Sequence, residues 1–125
     1  VLPSAPLRPI SCYNGAKITA WYDYKTDHDG KCEDEFDAAT LEESTRRIHE
    51  ILDQEIAALG GPERVFLGGA SQGCAVALHA AMTYHGRIGG VIATQGHLLS
   101  YTKVPEEWSS CKTPVRIYHG LADET

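Results

Sequence analysis

The 125-residue sequence lacks several features that would place it in a specialised class of protein. It has no basic cluster, and its formal net charge of −6 argues against nucleic acid as a partner. Its longest apolar-rich run, around residues 74–82, is far below the roughly 18 residues that predict a transmembrane segment. Internal repeats and low-complexity segments are also missing. With 42% hydrophobic and 22% charged residues, the composition is that of an ordinary globular domain.

The cysteines do not form a recognisable zinc motif. Cys12, Cys32, Cys74 and Cys111 are widely separated, with no C-x-x-C pair and no histidine pair at zinc-ligand spacing. Two disulfides could form if the protein were secreted, but a chain of this size does not need them for stability. We therefore expect free thiols in a reducing compartment, and no metal.

Loop signals dominate the N-terminal part of the chain. The start, VLPSAPLRP, has no charged region followed by an apolar stretch, so it is not a signal peptide pattern. Residues 1–3 are predicted to end a strand, and the prolines that follow predict a loop. Residues 23–37 are rich in acidic side chains, which predicts a solvated surface loop. The EF-hand calcium template fails there because its first and twelfth positions would be Lys25 and Phe36.

One long amphipathic helix is predicted in the next segment. Apolar residues recur at helical spacing over residues 41–59, and a Gly-Gly-Pro sequence follows. Two starts are compatible with the sequence: Thr40 and Glu43 can form a capping box, whereas Asp37 would cap a start one turn earlier. His49 lies within the polar spacing and is expected to be exposed.

Strand and helix patterns alternate along the rest of the chain. Strands are predicted at residues 64–67, 89–93 and 115–118, a turn at 68–69, and a second helix at 72–84. Such alternation predicts an α/β fold with a mostly parallel sheet and flanking helices.

The stretch VFLGGASQGCAVAL, residues 65–78, contains the motif G-x-S-x-G between a predicted strand and a predicted helix. This is the position of a nucleophile elbow, where a serine occupies a strained turn. The flanking Gly69 and Gly73 are needed because a side chain would collide with the neighbouring backbone. The backbone N–H of Gln72 can stabilise an oxyanion from the start of the helix. We therefore predict that Ser71 is a nucleophile, rather than part of a Gly-rich turn without chemistry.

A serine nucleophile also needs a base and an acid that orients the base. In this fold the order along the chain is serine, acid, histidine. Asp123 follows the predicted strand PVRIYHG, at the same sheet edge as Ser71, and is the predicted acid. No histidine follows it before Thr125, and His119 and His97 are weak candidates for the base. The other histidines considered lie in the acidic loop and in or after the second helix: His28, His79 and His85.

Five segments together resemble a known family. The segments are, in chain order, PSAPLRPIS, GAKITAWYD, LGGASQGCAVAL, GGVIATQG and VRIYHGLADE. Together they resemble the acyl-protein thioesterase and carboxylesterase family of α/β-hydrolases. The resemblance runs nearly end to end. It implies a serine hydrolase that cleaves fatty-acyl thioesters or carboxylic esters through an acyl-enzyme, without metal or cofactor. By the same resemblance Ser71 is the nucleophile, Gln72 supplies an oxyanion-hole N–H, and Asp123 is the triad acid.

The resemblance also implies that residues 1–125 form a single but partial α/β-hydrolase domain, truncated at both ends. In the family, the catalytic histidine lies beyond the segment that matches Asp123, and a second oxyanion donor lies before the segment that matches residue 1. The family usually has Phe at the position of Ala70 and often Gly at that of Cys74. The accompanying expectations are an acylated protein or small acyl ester as substrate, a homodimer or complex partner, and a cytoplasmic location.

Two alternatives remain open at this point. The chain could be an inactive hydrolase-derived fragment that serves as a structural or interaction subunit, with a partner covering its sheet edges and apolar helix faces. The enzyme interpretation is preferred because Ser71 and Asp123 are both present and a scaffold needs neither. Cys74, three positions after the serine, is interpreted as a small buried packing residue, and a reactive thiol is the alternative.

Overall fold

The computed structural model describes residues 1–29, 31–109 and 113–121. The chain forms two compact units, of which the first comprises residues 1–44 and the second begins at Thr45. The single-domain organisation of the whole chain stays a prediction. Asp123 lies outside the described residues.

The first unit begins with a β-hairpin. Strand β1 (Leu7–Ile10) pairs antiparallel with β2 (Ala16–Thr19), and Asn14 adopts a left-handed conformation with φ 53° in the connection. The prediction of an uninterrupted loop through the prolines was therefore wrong. Pro9 is tolerated because β1 pairs only with β2 among the described residues, and an edge strand can accommodate a missing N–H. The predicted strand end at residues 1–3 was also wrong, since those residues precede the hairpin without regular structure.

In the acidic segment, residues 23–37, carboxylates accept hydrogen bonds from other residues of the same segment. A β-bridge joins Tyr24 and Phe36 at its ends. Asp34 accepts a hydrogen bond from the Thr26 hydroxyl at 3.1 Å and another from the His28 N–H at 2.8 Å. The carboxylates thus satisfy donors of the loop that have no strand or helix partner.

Helix α1 (Ala38–Leu59) starts at the earlier of the two predicted positions. The Asp37 carboxylate accepts a hydrogen bond from the Thr40 N–H at 3.0 Å, which is the N-cap to N3 bond that satisfies an orphan donor of the first turn. Three residues of the predicted apolar stripe are buried, Leu41, Ile48 and Leu52, whereas its last residue, Leu59, is exposed. The prediction for His49 was wrong, because the ring is half-buried and its Nε2 lies 2.8 Å from the carbonyl oxygen of Ala80.

The second unit contains a three-stranded parallel sheet in the order β3-β4-β5. Its elements are β3 (Phe66–Ala70), helix α2 (Gln72–Thr83), β4 (Gly90–Thr94) and β5 (Val115–Tyr118). The predicted α/β class with a parallel sheet and flanking helices is confirmed. Within the described ranges, neither helix combines the length and apolar character that a bilayer crossing requires.

Strand β3 is longer than its sequence pattern predicts. The predicted turn at residues 68–69 was wrong, because both glycines continue the ladder, with Gly68 paired to Ile92 and Gly69 to Ala93. Glycine has low strand propensity, so the pattern ends the strand early. Gly69 has no room for a side chain because the backbone of α2 comes close to it, whereas Gly68 faces the other side of the sheet, where its nearest neighbour is Ile92 of β4.

The two faces of this sheet differ in burial. Helix α2 packs against β3 and β4, and most of its residues are buried. The parallel register puts three apolar side chains on the opposite face, which is exposed among the described residues: Phe66, Ile92 and Tyr118. These residues are defined here as the open face of the sheet.

Candidate functional site

Ser71 stands alone between a strand and a helix. Strand β3 ends at Ala70 and α2 begins at Gln72, so one residue makes the whole turn. Its backbone has φ 53° and ψ −126°, in a region that non-glycine residues avoid. Such conformations cost about 1–3 kcal/mol and are concentrated at functional sites. The side chain is exposed and makes no helix-capping hydrogen bond.

Gly69 allows the strand and the helix to approach closely. A Cβ placed on this residue would overlap the carbonyl group of Gly73 and lie 2.8 Å from the backbone nitrogen of Cys74. Because these are backbone atoms of the first helical turn, no side-chain rotation could relieve the overlap. A residue with a side chain at this position would push β3 away from α2 and open the turn that carries Ser71.

The backbone of Ser71 is held on both sides. Its N–H donates to the carbonyl oxygen of Thr94 at 3.1 Å, which extends the β3–β4 ladder into the turn. Its own carbonyl accepts from the N–H groups of Cys74 at 2.9 Å and Ala75 at 3.3 Å. Since the Ser71 N–H is used by the sheet, an oxyanion at this site needs other donors. The backbone N–H of Gln72 lies at the N-terminus of α2, where the helix dipole favours negative charge.

A second unusual turn lies beside the first. Gln95, directly after β4, has φ 52°, and its N–H donates to the carbonyl oxygen of Tyr118 at 3.0 Å. A Cβ placed on the next residue, Gly96, would lie 2.8 Å from the Ser71 carbonyl oxygen and 3.0 Å from the Cys74 sulfur. No role for this turn was predicted from the sequence. The signal was a Gln-Gly pair immediately after a strand, which is a turn signature but does not reveal what the turn contacts.

The sheet brings the predicted site segments to one edge. Because the strands are parallel, the segments that follow β3, β4 and β5 leave the sheet on the same side. Ser71 follows the first strand and His119 the last, with β4 between them. Asp123 comes a few residues further and lies outside the described residues, so its role as the acid stays a prediction.

The histidines occupy different environments. His79 is buried in α2, and its Nδ1 lies 2.9 Å from the Thr102 hydroxyl. His85 lies on the surface with its Nε2 3.6 Å from the Asp53 carboxylate. These contacts indicate structural roles for the two rings. The weak base candidates, His97 and His119, are exposed in the segments after β4 and β5.

Among the described residues, no group of three or more His, Cys, Asp or Glu side chains is arranged to hold a metal ion. The cysteines that the structure describes are free thiols: Cys12, Cys32 and Cys74.

Cys74 packs beneath the turn of Ser71 and is fully buried. Burial raises the pKa of its thiol, and this effect outweighs a hydrogen bond with the Thr94 backbone that lowers it. Because the thiolate is the reactive form of cysteine, a raised pKa and burial both reduce reactivity. The geometry therefore favours the packing interpretation of this residue.

We expect Cys74 to resist alkylation in the native protein. With iodoacetamide at pH 8, the exposed Cys32 should be modified at least about tenfold faster, because it is accessible to the reagent. Peptide mass mapping would measure both rates, and denaturation in guanidinium should remove most of the difference. Rapid native labelling of Cys74 would instead identify it as a reactive thiol.

The sequence of the chain is similar to those of known proteins. The whole chain, residues 1–125, matches the model of the phospholipase/carboxylesterase family. Acyl-protein thioesterase 1 of Schizosaccharomyces pombe is 40% identical over 110 residues, covering 87% of this chain and 47% of the relative. Carboxylesterase SOBER1 of Arabidopsis thaliana is 35% identical over 127 residues, covering 98% of this chain and 54% of the relative. The chain thus spans about half the length of these curated relatives.

Solved structures agree with the sequence comparisons. The crystal structure of Arabidopsis thaliana SOBER1 matches with a TM-score of 0.80 and 34% identity, over 98% of this chain and 59% of that one. The crystal structure of Zea mays acyl-protein thioesterase 2 matches with a TM-score of 0.69 and 22% identity, over 96% and 57%, which supports the fold alone. The predicted α/β-hydrolase fold is confirmed.

Proposed function

Because the chain belongs to the phospholipase/carboxylesterase family, we propose that it carries the nucleophile of a serine hydrolase that cleaves fatty-acyl thioesters or carboxylic esters. The observation that carries this proposal is the backbone of Ser71, with φ 53° and ψ −126° at the junction of β3 and α2. A strained conformation is retained where the reaction needs the hydroxyl exposed and fixed in direction.

In the proposed mechanism, the Ser71 Oγ attacks the acyl carbonyl carbon while a histidine base takes the hydroxyl proton. The carbonyl oxygen becomes an oxyanion that the Gln72 N–H stabilises. The protonated histidine then gives its proton to the departing thiol or alcohol, leaving an ester between Ser71 and the acyl group. Water, deprotonated by the same histidine, hydrolyses this ester and restores the serine. The reaction needs neither metal nor cofactor.

The sheet order supports the proposal that Asp123 is the acid. Asp123 comes shortly after β5, which is separated from β3 by a single strand. Neighbouring strands are about 4.8 Å apart, so the ends of β3 and β5 are about 10 Å apart, which leaves room for an imidazole between serine and carboxylate. We assign to Asp123 the orientation of that histidine and the stabilisation of its charged form.

The proposed substrate class is based on the names of the relatives. The relatives are named acyl-protein thioesterase and carboxylesterase. A thioester and a carboxylic ester both have an acyl carbonyl attached to a leaving group, which is sulfur in one and oxygen in the other. We accordingly propose an acylated protein or a small acyl ester as substrate. Ala70, next to the nucleophile, leaves more space there than the Phe that is usual in the family. A homodimer or other complex partner stays a prediction.

A fluorophosphonate probe tests the nucleophile directly in the full-length natural protein. Such probes phosphonylate activated serines, and we expect the adduct on Ser71 because the elbow exposes its hydroxyl and a base activates it. Ser100 is the internal control, since it is also exposed in the second unit but lies in a loop. Peptide mapping should show labelling of Ser71 at least about 100-fold faster than of Ser100. Equal rates at the two serines would contradict the proposal.

The open face of the sheet favours one second candidate function. Phe66 and Tyr118 are each 61% exposed and Ile92 is 47% exposed, which is the kind of apolar surface that an interaction subunit would use. The enzyme is preferred because an interaction surface does not require a serine with a strained backbone between β3 and α2. An inert Ser71 in the probe experiment would favour the subunit.

A further inference from the structure

We propose that Gly96 is a positioning residue for the reaction, holding the turn of Ser71 in its reactive shape from the side of β4. The inference rests on the proposed role of Ser71 as nucleophile. Residues 94–96, the last residue of β4 and the two that follow it, contribute no reacting group in the proposed mechanism and are defined here as the supporting turn.

The first support is the closeness of Gly96 to the elbow. A Cβ on this residue would lie 2.8 Å from the Ser71 carbonyl oxygen, 2.8 Å from the Cys74 Cβ and 3.0 Å from its sulfur. Real Cβ atoms are essentially never found within 3.0 Å of such neighbours. The backbone of Gly96 therefore fills the space next to the first turn of α2, and no larger residue fits there without displacement.

The second support is that the supporting turn is itself fixed. Thr94 accepts the N–H of Ser71 at 3.1 Å, and Gln95 donates its N–H to Tyr118 at 3.0 Å. Thr94 and Gln95 thus connect Ser71 on one side to strand β5 on the other. The supporting turn cannot yield to an enlarged Gly96 without breaking one of these bonds.

The third support is the cost of the conformation that must be held. A residue in the region occupied by Ser71 is about 1–3 kcal/mol less stable than in an ordinary one, and it persists only where its surroundings determine it. Gly69 restricts the turn from the side of β3, through its close approach to Gly73. Gly96 restricts it from the side of β4. Gly69 contacts backbone atoms, and Gly96 contacts the Ser71 carbonyl and the Cys74 side chain. Neither contact involves the Ser71 hydroxyl, so in this proposal they set its position without touching the substrate.

The expected consequence of enlarging Gly96 is a displaced nucleophile in a folded protein. A displacement of about 1 Å at a reacting atom can reduce the rate by about 100-fold. Because Gly96 does not bind the acyl group in this scheme, substrate affinity should change little. The predicted signature of Gly96→Ala is therefore a loss in kcat of about 100-fold with KM within about threefold.

Gly89→Ala is a matched control, because this glycine lies directly before the other end of β4. A Cβ there would lie 2.5 Å from the carbonyl oxygen of Glu63 and 3.0 Å from that of Val65, so it causes a similar backbone clash away from the serine. In the full-length protein, we would measure kcat and KM on a soluble acyl thioester, the phosphonylation rate of Ser71, and unfolding by urea. Both variants should be destabilised, but only Gly96→Ala should lose kcat per folded molecule.

A second substitution tests whether the contact itself is responsible. Cys74→Gly removes both the Cβ and the sulfur that an alanine at position 96 would meet, leaving only the contact with the Ser71 carbonyl. Added to Gly96→Ala, it should restore kcat about tenfold, since two of the three clashes disappear. It also provides a testable protein if Gly96→Ala alone does not fold.

Normal kcat in Gly96→Ala, or an equal loss in Gly89→Ala, would overturn the positioning role. Failure of Cys74→Gly to restore any activity would also count against it. These results differ from a failure of the proposed function, which would appear as full activity or unchanged probe labelling in a protein that lacks the Ser71 hydroxyl.

Discussion

Ser71→Ala is expected to lower kcat/KM of the full-length protein by at least about 10⁴-fold, since loss of a catalytic serine removes the covalent route. The variant should fold normally. The Ser71 side chain makes no capping hydrogen bond, and alanine at this position has the same backbone strain. The free energy of unfolding should therefore stay within about 0.5 kcal/mol of that of the unmodified protein. Hydrolysis of a soluble thioester and urea unfolding measure the two quantities. Appreciable residual turnover would remove Ser71 from the mechanism.

Ser71→Gly is the informative companion of this variant. Glycine adopts a positive φ without steric cost, so it should relieve the strain at φ 53° and raise the free energy of unfolding by about 1 kcal/mol, although it is equally inactive. A protein that gains stability as it loses its hydroxyl would demonstrate that the strain belongs to the site. If glycine brings no gain, the elbow is not strained in solution.

Gly69→Ala is expected to damage both stability and activity. The added methyl group would overlap the carbonyl of Gly73, and overpacking against backbone that cannot rotate away costs about 3 kcal/mol or more. Because the relief must come from separating β3 and α2, kcat should fall at least about 100-fold even in the molecules that remain folded. Urea unfolding and active-serine titration with the fluorophosphonate would measure the two effects.

Gly68→Ala is the control for that substitution. The residue is the immediate neighbour but faces the open side of the sheet, where a Cβ would lie 3.3 Å from the carbonyl oxygen of Ile92. A small adjustment accommodates this, so the free energy of unfolding should change by no more than about 1 kcal/mol. Equal damage from the two alanines would show that general loss of glycine, rather than the approach of the helix, is responsible.

The elements that sequence alone predicted well are those with strong local signals. The stripe of α1 and the strand Val115–Tyr118 depend on periodicity and apolar β-rich composition, which act within a few residues. The α1 boundary was ambiguous because two capping arrangements were available, and the bond from Asp37 to Thr40 decides between them. Serine between a strand and a helix was likewise a local pattern, and the structure has it at the predicted place.

The features that sequence reasoning missed depend on contacts between distant segments. His49 lies at a polar position of its helix, yet its ring meets the carbonyl of Ala80. Strand β3 contains a glycine, Gly69, that the backbone of α2 approaches too closely for a side chain. The Gln95 turn gains its significance from Ser71, 24 positions earlier in the chain. Periodicity and propensity describe neighbours in sequence and carry no information on such approaches.

The parallel order of β3, β4 and β5 also has a kinetic consequence. Both pairings join residues 24 positions apart, Phe66 with Gly90 and Val91 with Val115, so neither can form as a local hairpin. Each requires a long intervening segment to close before its hydrogen bonds form, which slows folding relative to short-range pairing. The hydrogen bond from Ser71 to Thr94 belongs to the first of these pairings. The proposed nucleophile, Ser71, therefore gains its backbone geometry only after β3 and β4 have paired, whereas the β1–β2 hairpin can form early.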